Sequence, residues 1–251
     1  MGGYYMFRLF VMTLLVVSSF FISLSAEMKP FNDKTTLEII NRLPAILIPA
    51  NFVFFLSFLI YIFLICWLYG FWRNKSQASR RMLNYRALIF STISIVHIVY
   101  IYLGHYEFFI SAIIMSLVIL LLLAALYFSY PKRENTLTDR LPISLYFGWH
   151  IFNFMLLTNY TLTLHEWSGW GISQPLWAVI YLTLITAIGL HFLYHHNDFP
   201  LNSVFIIGFI GISIKTGFDS LFVTIAALFL SVVIAVSFIV FNSKKSEVQS
   251  S

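Results

Sequence analysis

The chain has 251 residues, of which 60% are hydrophobic, 19% aromatic and only 10% charged, whereas a soluble domain carries roughly 25% charge. Mean hydropathy is +0.86, and uncharged stretches of about 20 residues recur, the length that spans a hydrocarbon core; both features exclude a water-soluble catalytic domain. The formal charge of +5 does not point to nucleic acid, because Lys and Arg fall in a few short loops rather than on one face of a folded domain.

Eight apolar segments are predicted as membrane helices: 9–26, 46–72, 87–103, 108–130, 142–164, 176–194, 201–216 and 221–241. The fold class is therefore all-α integral membrane, a bundle of about eight transmembrane helices. The first segment follows Arg8 and ends in Leu24-Ser25-Ala26, so it reads either as a retained helix or as a cleaved signal peptide; its apolar run exceeds the usual signal core of about 7 to 15 residues. The seventh is the weakest, being short, following Pro200 and containing Gly208 and Gly211, small residues that also let helices approach closely.

Loop charges orient the chain. With the N-terminus inside, the cytoplasmic segments hold Arg8, Arg73, Lys75, Arg80, Arg81, Arg86, Lys132, Arg133, Arg140, Lys244 and Lys245, and the outside receives Lys29, Lys34, Arg42 and Lys215. This positive-inside bias puts both termini in the cytoplasm when the first helix is retained. The outer loop 27–45 mixes Glu27, Asp33 and Glu38 with three cations and reads as a solvated loop or lid. Trp167 and Trp170 follow the fifth segment, as aromatic-belt residues do.

Intramembrane ionisable side chains are the default functional pointers. No Asp or Glu lies in the middle of a predicted span; Glu107, Asp139, Asp198 and Asp219 fall near segment ends, which disfavours a carboxylate relay. His97 sits mid-way along the third segment and His150 in the fifth, each able to bond a ligand or a neighbouring helix. His191 and His195 share a helical face, but no third ligand is secured beyond Asp198, so no metal site is assigned. Cys66 stands alone in an apolar run, without disulfide or thiolate chemistry. Nucleophile-elbow, zinc-helix and Walker signatures are absent and Lys215 lies only at the margin of a span; no catalytic residue is assigned. The 27 Phe, 14 Tyr and 6 Trp suit helix packing or an apolar pocket for a flat ligand.

Two stretches carry a resemblance. Pro49-Ala-Asn-Phe-Val-Phe54-Phe-Leu-Ser57-Phe-Leu-Ile-Tyr61 is similar to the opening of the second helix of the TspO/MBR family, the tryptophan-rich sensory proteins related to the mitochondrial translocator protein, and Arg140-Leu-Pro-Ile-Ser-Leu-Tyr146-Phe-Gly-Trp149 resembles that family's fifth helix. The long family members, with three additional helices, resemble most of this chain. Ser57 stands where the family has its Trp, and His97 with Tyr100 where its third helix shows Asn-x-x-Trp; Asn159-Tyr160 is similar to the family's Asn-Tyr but falls two positions late, leaving Leu157 and Thr158 at the matching places.

The resemblance implies a TspO-like five-helix core over residues 1–165, three further membrane helices over 166–242 and a short polar cytoplasmic tail, 243–251. It implies a bacterial cell membrane and binding, sensing or transport of a lipophilic molecule such as a porphyrin or a sterol; no cofactor is implied, and an enzyme acting on tetrapyrroles or lipids is disfavoured because no acid, base or nucleophile cluster is visible. Carried over position by position, the ligand-binding residues are Phe54, Tyr61, His97, Tyr100, Tyr146 and Trp149. The other partner is the lipid bilayer, and assembly into homo-oligomers is compatible with the sequence. The competing expectation is a membrane scaffold that regulates partners through helix contacts and has no pocket.

Overall fold

The computed structural model describes the backbone of residues 2–28, 31–73, 80–131 and 136–250, and the side chains of these apart from 2–5, 80 and 243–250. Lys29, Lys75, Lys132 and Arg133, used above for orientation, lie outside the described residues, as do the side chains of Arg80, Lys244 and Lys245. The described chain is helical: α1 Gly2–Met28, α2 Thr36–Asn41, α3 Phe55–Arg73, α4 Arg80–His105, α5 Phe109–Phe128, α6 Arg140–Leu164, α7 Gln174–His196, α8 Phe199–Thr216 and α9 Leu221–Ser250. All but α2 contribute a stretch long and apolar enough to cross a membrane, eight in total among the described residues.

The helix ends follow local chemistry. Residues 46–50, read from the sequence as the start of the second span, are not helical. Pro44 and Pro49 restrict the residues before them to extended backbone and Pro49 lacks an N–H, so the chain enters α3 through a 3-10 turn, Asn51–Phe54. At the α7–α8 junction Asn197 takes the left-handed conformation (φ 51°) that closes a helix. Asp198 then accepts a bond from the Leu201 N–H at 3.1 Å, and Pro200 occupies the first turn, where a missing N–H costs nothing. Asp198 thus serves as a buried cap, and among the described residues no three His, Cys, Asp or Glu side chains are grouped to hold a metal ion.

Residues 2–42 and 56–150 form one compact unit, and residues 43–55 and 151–250 the other, with α6 contributing its first part to the former and its remainder to the latter. In the first unit α4 packs against α1 and α5. Its core holds Trp67, which is fully buried and whose Nε1 donates to Tyr130 Oη at 2.6 Å. Arg86, counted from the sequence among the short-loop cations, is buried: its guanidinium lies 3.5 Å over the Tyr130 ring and donates to the Ser129 carbonyl at 2.6 Å. Such pairing compensates for the desolvation of a buried charge. Arg140 is likewise buried, 5.2 Å from the Tyr127 ring.

In the second unit α9 packs on α7 and α8, and α8 meets the 3-10 turn. The weakest predicted span proves to be well buried. Val204, Phe205, Phe209 and Ile212 of α8 have no exposed surface, and a Cβ at Gly208 or Gly211 would collide with Phe152 or Val53 respectively. Glycine is what permits this approach. Elsewhere the apolar residues left uncovered form stripes at helical spacing, Ile110, Ile114, Leu117 and Leu121 on α5 and Ile225, Phe229, Val232 and Val236 on α9, as faces in contact with lipid acyl chains do.

α6 is the least apolar span and the most buried. His150, Asn159 and Thr161 are all enclosed on it, which a helix facing protein tolerates and one facing lipid does not.

Candidate functional site

The predicted site residues fall on several elements. Tyr61 lies on α3, His97 and Tyr100 on α4, Tyr146 and Trp149 on α6, all within the first unit; Phe54 closes the 3-10 turn and belongs to the second. With a rise of about 1.5 Å per residue, His97 lies roughly 12 Å along α4 from the helix end at His105, deep in the hydrocarbon thickness.

The structure brings three of the six into one hydrogen-bonded chain. His97 Nε2 lies 3.3 Å from Tyr61 Oη and its Nδ1 lies 3.2 Å from Tyr146 Oη. Tyr61 Oη donates to the Ser19 carbonyl at 3.2 Å and lies 2.9 Å from Ser23 Oγ. One proton arrangement satisfies every bond: Tyr61 gives its hydrogen to Ser19 O, receives from Ser23 and from a protonated Nε2 of His97, and Tyr146 gives its hydrogen to the bare Nδ1. A neutral imidazole is the species this order requires. Such a network satisfies polar groups that lipid cannot.

Aromatic contacts extend the cluster. Tyr100 lies 5.8 Å from His97 between ring centroids and 6.3 Å from His150. His150 stands edge-on to His97 at 5.3 Å and to Tyr146 at 4.8 Å. Its place follows from sequence, because positions 146 and 150 are four apart and share a helix face. Trp149 is buried on α6 just before it.

Three members of the cluster carried no motif signal. Ser19 and Ser23 are ordinary serines in an apolar helix, and nothing in the sequence pairs them with position 61. His150 was visible as an intramembrane ionisable group but lies outside the matched motif.

The loop between α1 and α3 contributes a clasp. α2, unread in the sequence, begins with a capping box in which Thr35 Oγ1 accepts from the Glu38 N–H and the Glu38 carboxylate accepts from the Thr35 N–H. These bonds hold the exposed Glu38 carboxyl below its usual range. Glu107, at the α4–α5 turn, accepts two bonds from Arg42, at 2.8 and 3.1 Å, and one from Lys34 at 2.8 Å. Asn32 donates to the His105 carbonyl at 3.3 Å, and Thr36 Oγ1 pairs with His105 Nε2 at 3.2 Å. The loop is thus tied to the end of α4 rather than freely solvated.

Arg42, and then Lys34, hold the Glu107 carboxyl below its ordinary value. A depressed carboxylate stabilises the clasp fully above the unfolded value of about 4.3 and loses that contribution as pH falls through the folded value. At half-exposed groups this amounts to about 1 kcal/mol or less. Glu107→Gln is expected to speed hydrogen exchange in residues 31–45 at neutral pH while α3 and α4 stay protected; exchange equal to wild type would show that the pairs do not hold the loop.

A family model described as TSPO-like protein matches residues 9–240. The chain belongs to the TSPO-like protein family. The match runs from α1 into α9, so the TSPO-like assignment covers all eight spans rather than the two motif stretches alone. Comparison with curated proteins and with solved structures found no match. As a TSPO-like chain with eight apolar helices, this is a multi-pass membrane protein in contact with the bilayer.

Proposed function

We propose that the protein binds, senses or transports a hydrophobic small molecule, tetrapyrrole- or sterol-like as the family implies, at a site on α3, α4 and α6 that includes Tyr61, His97, Tyr100, Tyr146 and Trp149. Phe54, the sixth residue of the motif match, belongs to the second unit and is left out of this site. The observation that carries the reading is the Tyr61–His97–Tyr146 chain, a polar network deep within membrane helices. An ionisable side chain buried in a membrane span is a functional pointer by default. The family resemblance lends the same positions a pocket role.

The proposal includes a retained first helix, since Ser19 and Ser23 complete the network, and cytoplasmic termini in a bacterial cell membrane, with residues 1–165 as the family core and 166–242 as the added helices. No enzymatic step is part of it. The test is a titration of purified protein with protoporphyrin and haem, read by quenching of tryptophan fluorescence. Saturable quenching that weakens in Tyr146→Ala and Trp149→Ala is the expected result. Linear quenching that neither variant alters would favour a scaffold acting through helix contacts.

A further inference from the structure

His150 is 2% exposed, and neither of its ring nitrogens has a hydrogen-bond partner. A buried, unpaired donor or acceptor is costly in any protein interior and more so in a span, where no bulk water reaches it. The residue could be spared that cost by an apolar side chain of similar size. Around it stand His97, Tyr100 and Tyr146, and the network continues to Tyr61, Ser19 and Ser23. Among these touching groups there is no Lys or Arg to neutralise a carboxylate and no Asp or Glu to neutralise a cation.

From this we infer that His150 is the polar anchor of the site, and that the group it receives is an uncharged hydroxyl carried by a lipophile. The inference rests on the proposed function and narrows it to one ligand chemistry. A neutral imidazole has one bare nitrogen and one N–H. A hydroxyl serves either, giving its hydrogen to the bare nitrogen or receiving one from the N–H, whereas an ether oxygen only accepts. A carboxylate or an ammonium set against His150 itself would bring an unpaired charge into a low-dielectric surrounding, so a porphyrin in the same site keeps its carboxylates away from this ring. His97 cannot play this part, because both its nitrogens are already engaged by Tyr61 and Tyr146. Tyr100 is half-buried and touches both imidazoles, so a hydroxyl that reaches His150 has to displace its ring.

The test compares alcohols with their methyl ethers, which keep the apolar body and lose the donor. Dehydroergosterol and its 3-methyl ether are titrated into the full-length protein in detergent, read by energy transfer from tryptophan; geranylgeraniol and its methyl ether are measured by competition against the porphyrin. In the wild type, at least one alcohol is expected to bind about tenfold more tightly than its ether, the value of one hydrogen bond. His150→Phe is expected to abolish that preference, and His150→Gln, which keeps a donor and an acceptor, to retain most of it. The wild-type comparison needs no variant, so a misfolded His150→Phe leaves the idea testable. Equal affinities for alcohol and ether, or a preference that His150→Phe preserves, would overturn the anchor while leaving the proposed function intact. Porphyrin binding without saturable binding of either alcohol would do the same. Failure of every probe, porphyrin included, would overturn both.

Discussion

Replacing His97 with leucine is expected to weaken binding of a lipophilic ligand by about one to two orders of magnitude, at a cost in stability of only about 1–2 kcal/mol. The asymmetry follows from the bonds. Tyr61 keeps Ser19 O and Ser23 Oγ as partners, so α3 stays anchored to α1. Tyr146 loses the acceptor that the structure gives its hydroxyl, and its ring is freed to leave the position that packs on His150. A site with its polar groups displaced binds poorly even when the bundle survives. His97→Gln offers both a donor and an acceptor and is expected to recover part of the affinity. Titration of both variants, with thermal melts alongside, checks the split. A His97→Leu protein that binds as wild type does would mean the network is structural only.

Gly211→Leu is expected to destabilise the second unit by about 3 kcal/mol or more, enough to abolish a monodisperse detergent-solubilised protein. The place a Cβ would take is already filled by the Val53 side chain, with Pro49 close by, and the Gly211 carbonyl accepts from the Ala50 N–H at 2.9 Å. A larger side chain must push the 3-10 turn away, breaking that bond and straining a close-packed contact. Because the clash is specific, Val53→Ala should rescue part of the loss, so the two substitutions combine to less than their sum. Size-exclusion profiles and melting temperatures of the single and double variants measure this. Full stability of Gly211→Leu would mean that α8 does not approach the turn as described.

Much of the fold could be read from residues because lipid imposes a simple rule: a helix that crosses it must be long, apolar and internally bonded. What escaped that rule was local or long-range. The non-helical stretch before Asn51 is as apolar as the helix that follows, and only Pro44 and Pro49 mark it. α2 is too short and polar to register as an element, although Thr35 and Glu38 three residues apart are a capping signature. Arg86 and Arg140 count toward orientation as cations, yet their burial depends on Ser129, Tyr130 and Tyr127, partners more than 10 residues away or on the neighbouring helix.

The site divides in the same way. Tyr61 and Tyr146 were marked by the motifs, and His97 by being an ionisable group in mid-span. Their meeting depends on three helices packing together, and the serines of α1 that complete the network carry no pattern at all. Trp149 shares the motif with Tyr146, and its burial is consistent with either packing or ligand contact. The unpaired nitrogens of His150 become visible only when every neighbour is in place.

Photolabelling locates the ligand without any substitution. A diazirine-bearing analogue of the tightest lipophilic ligand would be activated on the purified protein and the labelled peptides mapped by mass spectrometry, with and without excess unlabelled ligand. Competable labelling is expected around Tyr61, around His97 and Tyr100, and between Tyr146 and His150. Labelling confined to lipid-facing positions such as Leu121 and Ile225, and unaffected by competitor, would contradict the proposed site.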